Sequence, residues 1–296
     1  MVQEARYLIT QWYEEYRQYL KAVAYRMLGS FSEAEDVVQD VFVRLQDVSL
    51  VEEIREAKPF LTRMVVTRSL DILKSAKKKR EKYVGPWLPE PDVQMIGSDI
   101  SEGLILEENI SYALLVIIER LTPAERAVFL LYETFDYGYS EIAPMLGKTE
   151  MACRKIMSRV RKKLQQDIPE PSLSITEGQE LAMKFFQATT TGKVEELLTL
   201  IQDDAVCYSD GGGKVSAALK PIVGALHIAG FLTGLIKKYQ DKEVDFVPLI
   251  VNGELGVGVL ENRKWSTIIY IEWNNSKVRR IYMVRNPDKM YHLPII

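Results

Sequence analysis

The spacing of apolar positions divides the chain into three stretches. Over 3–84 it follows a helical period: Ala34, Val37, Val38, Val41, Phe42 and Leu45 fall at i, i+3, i+4, i+7, i+8 and i+11, one face of a helix. Ser32 and Glu35 are spaced as a capping box at its start, the Ser32 hydroxyl accepting from the Glu35 amide. A further helix is predicted from about Pro59, a favoured first helical residue, through Leu61, Met64, Val65 and Leu70 into the basic run 77–80. Residues 106–166 are helical again. From 177 the pattern changes. Helices over about 177–188, 193–202 and 224–239 precede four runs of strand character, VDFVPLIVNG, LGVGVLEN, WSTIIYIEWNN and KVRRIYMVRN, with turns marked by Asn252-Gly253 and Asn274-Asn275. Helices followed by antiparallel strands predict an α+β domain.

Two Pro- and Gly-rich segments, YVGPWLPEPDVQMIGSDISEG and IPEPSLSITEG, read as linkers. The expected organisation is a helical domain at 1–84, a linker at 85–105, a second helical domain at 106–168, a linker at 169–176 and the α+β domain at 177–296.

Composition is that of a soluble globular protein, 47% hydrophobic and 27% charged over 296 residues. No apolar run is long enough to span a membrane, and the N-terminus lacks the pattern of a secretory signal. Two distant cysteines, Cys153 and Cys207, and two histidines give no metal spacing. A cytoplasmic protein without cofactor or metal is expected.

The formal charge of −3 hides a strong pattern. Residues 59–84 hold eight basic and two acidic side chains, and 148–164 hold seven basic and one acidic. Between them, 85–105 has four acidic and no basic residues. Two separated basic patches suit two contacts with a polyanion. The second lies in LTPAERAVFLLYETFDYGYSEIAPMLGKTEMACRKIMSRVRKKL. Thr122-Pro123 opens a helix, Ser140 is placed to cap a short second one, Gly147 allows a sharp turn, and Thr149 caps the last. Cys153, Ile156, Met157, Val160 and Leu164 share one side of that last helix, and the basic residues occupy much of the rest. This is a helix-turn-helix arrangement whose second helix can enter a major groove. Glu150, Met151, Arg154 and Lys155, at its start, are the base-proximal candidates; Ser158, Arg159 and Lys162 suit phosphates. The other reading is a basic helix packed in a bundle.

GSFSEAEDVVQDVFVRLQ resembles region 2 of bacterial sigma factors of the extracytoplasmic-function (ECF) type, and the helix-turn-helix stretch resembles their region 4. YVGPWLPEP, DGGGK and NPDKM resemble the SigJ-like subgroup, in which a SnoaL-like domain is fused at the C-terminus. The resemblance implies a multi-domain fold: two all-α sigma domains followed by an α+β SnoaL-like cone. It implies a non-enzymatic subunit that gives core RNA polymerase its choice of promoter DNA, with region 4 on the −35 element. It places polymerase contacts at Asp36, Val37, Gln39, Asp40, Phe42 and Leu45, where exposed carboxylates beside an apolar ridge suit a basic, partly apolar partner. It places −10 contacts in FLTRMVVTRSLDILKSAKKKR. There Arg63, Arg68, Lys74, Lys77, Lys78 and Arg80 form a cationic track for a single strand, and Asp71 orients a neighbouring base or helix. A base-capturing loop is expected around Val48–Lys58.

In the last domain Asp210 and His227 raise acid–base chemistry, but an Asp before three glycines is usually a turn and a lone helical His usually packs. Another expectation is that Asp210, Gly211, Gly212, Gly213 and Lys214 lie near Trp87, Leu88, Pro89, Glu90 and Pro91, a stiff apolar hook. With Asn286, Pro287, Asp288 and Lys289 these are the candidate regulatory contacts, which make the domain a built-in regulator. The cone leaves room for an unidentified small ligand, and the free protein is expected to be a monomer. Two rival readings remain: a one-component helix-turn-helix regulator with a ligand-sensing domain, and a SnoaL-type enzyme with a DNA-binding appendage. Neither needs EAEDVVQDVF or a second basic patch.

Overall fold

The computed structural model describes residues 2–46, 54–80, 82–96, 110–165, 167, 175–240 and 242–293. The chain forms two compact units. The first comprises Met1–Glu81, Leu104–Ile110 and Leu115–Ile168; the second comprises Lys82–Gly103, Ser111–Leu114 and Pro169–Ile296. No described helix is long and apolar enough to cross a membrane.

The first unit begins with α1 (Val2–Leu28), α2 (Phe31–Gln46) and α3 (Ala57–Arg80). Ala34, Val37, Val38, Val41, Phe42 and Leu45 are all buried, so the helical period of α2 marks its core face. Its cap differs from the expected one. The Ser30 hydroxyl accepts from the Glu33 amide at 3.4 Å, two residues before Ser32. Gly29, at φ 71°, makes the tight corner that puts Ser30 there. Then follow α4 (Tyr112–Ile118), whose residues up to Leu114 belong to the second unit, α5 (Pro123–Glu133), α6 (Tyr139–Leu146) and α7 (Glu150–Leu164).

The second unit holds α8 (Ile175–Thr190), α9 (Val194–Leu200), β2 (Ile201–Asp210), β3 (Ile222–Val223), α10 (Ala225–Tyr239), β4 (Val244–Val251), β5 (Glu254–Glu261), β6 (Lys264–Asn274) and β7 (Lys277–Val284). A first strand, β1 (Val93–Met95), comes from the segment expected to be a linker and pairs antiparallel with β4. The sheet order is β1-β4-β5-β6-β7-β2-β3. It is mixed rather than antiparallel throughout, because β2 runs parallel to β7. One face packs on the helices: Phe185, Leu197, Ile228 and Leu232 meet Ile271, Ile281 and Met283. Alternation sends Tyr270 and Tyr282 to the other face, where they stack at 5.9 Å. Asn252-Gly253 forms the expected β4–β5 turn, both residues at positive φ; the β6–β7 turn is Asn275-Ser276, one residue later than expected.

Candidate functional site

On α2 the expected polymerase contacts separate into two groups. Asp36 and Gln39 are exposed and Asp40 is half-buried. Val37, Phe42 and Leu45 lie in the helical core, Phe42 edge-on to Tyr13 at 5.0 Å, so they form no exposed apolar ridge. The exposed apolar side chain on this helix is Val43, which the helical period left unmarked.

On α3 the expected cationic track is partly paired. Arg68 binds the Asp40 carboxylate at 2.8 Å, and Lys74 binds Asp71 at 3.1 Å. The Lys74–Asp71 pair is well exposed and the Arg68–Asp40 pair half-buried, so the first contributes little to stability and is the more open to exchange for a phosphate. Arg63 is exposed. Lys77, Lys78 and Arg80 are on the last turns of α3, with side chains outside the described residues. Of the expected base-capturing loop, residues 48–53 also lie outside them.

In the helix-turn-helix, Thr122 and Glu125 make a reciprocal capping box on α5. The cap of α6 is Gly138, not Ser140: its N–H donates to Glu141 at 2.8 Å, and Ser140 is already helical. Gly147 is left-handed at φ 62°, ending α6, and the Thr149 hydroxyl accepts from the Ala152 amide to start α7. Cys153, Met157, Val160 and Leu164 are buried on one side of α7. Opposite them Glu150, Met151, Lys155, Ser158, Arg159 and Lys162 are exposed. Arg154 lies over the Tyr139 ring at 4.7 Å and 3.6 Å from Glu150, which holds it at the N-terminal end of α7. Arg161 and Lys163 instead pair with Glu133 and Glu125 of α5 and tie the two helices together.

A buried residue that no sequence pattern marked also sits here. Arg126 of α5 is fully buried and donates from Nη1 to Glu119 at 2.7 Å and to the Met27 carbonyl at 2.8 Å. Met27 is in the last turn of α1, whose carbonyls lack helical partners and favour a cation. Tyr137 likewise bonds the Tyr19 and Thr62 hydroxyls. Nothing in LTPAER or FDYG signals these long-range partners.

In the second unit the hook and the glycine loop come together around one carboxylate. Asp210, fully buried, accepts from the Tyr83 hydroxyl at 2.6 Å, the Leu88 amide at 2.9 Å, the Gly212 amide at 3.0 Å and Lys289 Nζ at 2.7 Å. Lys289 also donates to the Leu88 carbonyl and lies 4.2 Å over the Trp87 ring. Burial, then the bond to Asp210, pushes the Tyr83 hydroxyl well above its usual range, so it stays a proton donor. The glycines fit for steric reasons. A Cβ on Gly212 would stand 2.3 Å from the Asn286 amide nitrogen, and one on Gly213 would stand 3.1 Å from Val84. Asn286 donates to Tyr83 and caps the turn of Pro287–Lys289, while Lys214 binds Asp288 at 2.6 Å. Pro89 accepts from the Tyr112 hydroxyl; Glu90 and Pro91 are buried beside it. Asp210 is therefore fully occupied, and His227 bonds the Val223 carbonyl on an exposed part of α10. Burial pushes the Cys207 thiol up to about 12, which leaves it unreactive.

Comparison with known proteins matches Sigma-70 region 2 to residues 12–79 and Sigma-70 region 4 to residues 111–164. The chain is 32% identical to the ECF RNA polymerase sigma factor SigJ of Mycobacterium tuberculosis, over 96% of this chain and 93% of that one. It is 27% identical to a probable ECF RNA polymerase sigma factor, SigI, of the same organism, over 93% of this chain and 92% of that one. The crystal structure of the M. tuberculosis SigJ superimposes with a TM-score of 0.78 at 28% identity, covering 96% of this chain and 99% of that one.

Proposed function

We propose, because this chain belongs to the family of ECF RNA polymerase sigma factors, that its C-terminal domain modulates promoter use by holding the segment between the two sigma regions. Sigma factors bind core RNA polymerase and promoter DNA and are not enzymes, so the chain directs polymerase to promoters. The SnoaL-type enzyme reading falls with that. A one-component regulator would need no region 2.

The observation that carries the modulation is the Asp210 clasp. Two of its donors, Tyr83 and the Leu88 amide, belong to the segment that joins region 2 to region 4. Residues 82–96 are fifteen residues of potential tether, about 50 Å of reach at ~3.3 Å per residue. Held against the sheet they add none. Region 4 reads the −35 element through Arg154 and its neighbours, region 2 binds the −10 strand through the face of α3, and Asp36, Gln39 and Asp40 meet the polymerase. The clasp then sets how much chain lies between these contacts.

The test is run-off transcription with core polymerase, comparing the full chain with Asp210→Asn and with truncations ending near 204 and near 285. A changed promoter yield at unchanged core binding supports the proposal. Yields identical to the full chain in all three overturn it.

A further inference from the structure

Two tyrosine rings connect the helices of the helix-turn-helix. Tyr132, near the end of α5, and Tyr139, the first residue of α6, stack with centroids 4.5 Å apart and planes 17° from parallel. Two arginines about two turns apart on α7 lie over them. Arg154 is over Tyr139 at 4.7 Å, and Arg161 is over Tyr132 at 5.7 Å. Their surroundings differ. Arg161 donates from Nε and Nη2 to the Glu133 carboxylate, at 3.3 Å and 2.9 Å, so its fork is used inside the fold. Arg154 stands 3.6 Å from Glu150, beyond hydrogen-bond distance, and makes no hydrogen bond among the described residues.

The difference decides what each arginine can do. A ring face attracts a cation through its quadrupole and offers no oxygen or nitrogen to accept from it. Arg154 is therefore restrained while its donors stay open, and its side chain is exposed. Tyr139 is itself fixed. Gly138 caps α6 with its N–H on Glu141 at 2.8 Å, and the Tyr132 ring stacks on the next residue. An unrestrained arginine must give up rotamer freedom to make a two-bonded contact with a base. One already restrained gives up less, and the gain applies only where the base accepts both bonds. In the major groove guanine accepts both, through O6 and N7; adenine presents a donor beside its N7, and cytosine a donor.

We infer that Tyr139 is a positioning residue for promoter recognition, holding Arg154 for a bidentate contact with one guanine of the −35 element. The inference rests on the reading of region 4 given above and adds to it the base that is read and the ring that prepares the reading. Arg161, on the neighbouring ring, has its fork closed by Glu133 and takes no part in base choice.

The test is equilibrium binding of holoenzyme, reconstituted from core polymerase and the full chain, to promoters carrying each base in turn at each −35 position. The parent should prefer guanine at one position by about tenfold, and Arg154→Ala should erase that preference. Arg154→Lys, which keeps the charge but not the fork, should erase most of it. Tyr139→Leu should lower it by about twofold to fivefold and leave the other positions unchanged. Tyr139→Phe, which keeps the ring face, should rescue it. In the Arg154→Ala background, Tyr139→Leu should alter no base preference. A guanine preference unchanged in Tyr139→Leu, a loss spread equally over all sequences, or an equal loss in Tyr139→Phe overturns the inference and leaves the −35 reading standing. If Tyr139→Leu does not fold, Tyr139→Phe and Arg154→Lys still decide: loss of the preference in the first or full retention in the second overturns the inference. A parent indifferent to every −35 base overturns both the inference and the reading of region 4 beneath it.

Discussion

Lys289 and Lys155 are the same side chain in opposite surroundings. Lys289 is buried, 2.7 Å from the Asp210 carboxylate and under the Trp87 ring. Lys155 projects from α7 into solvent and makes no ion pair among the described residues. A cation stripped of water needs a fixed partner, so Lys289 is bound to one geometry and reports on structure. A hydrated cation is held by nothing until a polyanion displaces its water and counterions, so Lys155 is available to one. Arg161 and Lys163 fall between: they belong to the basic run but are engaged by α5, so the charge of a segment overstates what it can offer DNA.

Breaking the clasp gives the largest expected effect. Lys289→Met leaves the Asp210 carboxylate buried without its cation, which costs about 3–5 kcal/mol. Chemical denaturation followed by tryptophan fluorescence should show that loss, with Trp87 a local reporter. The double variant Asp210→Leu with Lys289→Met should recover part of it, because no buried charge then remains. Equal losses in the single and double variants would mean that the pair matters only for shape, and the contrast with Lys155 would weaken.

How much of this was legible in the sequence depends on the range of the interactions. The faces of α2 and α7 are set by neighbours one helical turn apart, so their periods predicted the buried residues of both. The same argument could not tell that Val37, Phe42 and Leu45 are core rather than a docking ridge, since burial depends on α1 and α3. β2 escaped because Asp203 and Asp204 interrupt its apolar pattern, leaving exposed positions mid-strand. β1 escaped because three residues between prolines and a glycine carry no period of their own; only the open edge of β4 makes them a strand. The meeting of DGGGK with WLPEP was expected from the resemblance. Tyr83, the donor 127 positions from Asp210, was not.

The two glycines at corresponding left-handed positions sharpen the comparison between the clasp and the DNA-reading module. At Gly147, φ 62°, an added methyl group would meet nothing within 4 Å, so Gly147→Ala is limited to the backbone penalty of about 1 kcal/mol. Gly212, at φ 60°, would bring its Cβ to 2.3 Å from Asn286, adding a clash; Gly212→Ala should cost about 2–4 kcal/mol. Thermal melts of the two variants compare them directly, and an equal loss would show that Asn286 moves aside freely.

A smaller effect separates the buried Asp210 from the half-buried Glu254. Asp210 has a cation; Glu254 has only the Tyr270 hydroxyl, at 2.5 Å, among the described residues. Burial raises the Glu254 carboxyl above the usual carboxylate range, the Tyr270 bond opposes this, and the charge of Glu272 adds to it. A raised value in the folded state means stability present below the unfolded value and lost as pH rises through the folded one. Glu254→Gln should therefore melt higher than the parent at neutral pH, with the difference shrinking in acid. A difference independent of pH would locate the effect in packing.

The smallest expected change in stability belongs to the exposed face of α7, and there the functional change should be largest in kind. Arg159→Ala removes no ion pair among the described residues, so the melting temperature should move by less than about 1 °C, for a stability change within ~0.5 kcal/mol. In the polymerase holoenzyme the same substitution removes one phosphate contact if Arg159 lies where its position on α7 puts it. Promoter affinity should then fall at low salt, and the slope of log affinity against log salt should become shallower by about 1, whatever the promoter sequence. Arg154→Ala, at the N-terminal end of α7, should instead lower affinity unequally among −35 sequences if that end faces the base edges as proposed. The pair of measurements tests the distinction between a hydrated cation and a held one: if Arg159→Ala melts several degrees lower with an unchanged salt slope, its charge belongs with that of Lys289, inside the fold.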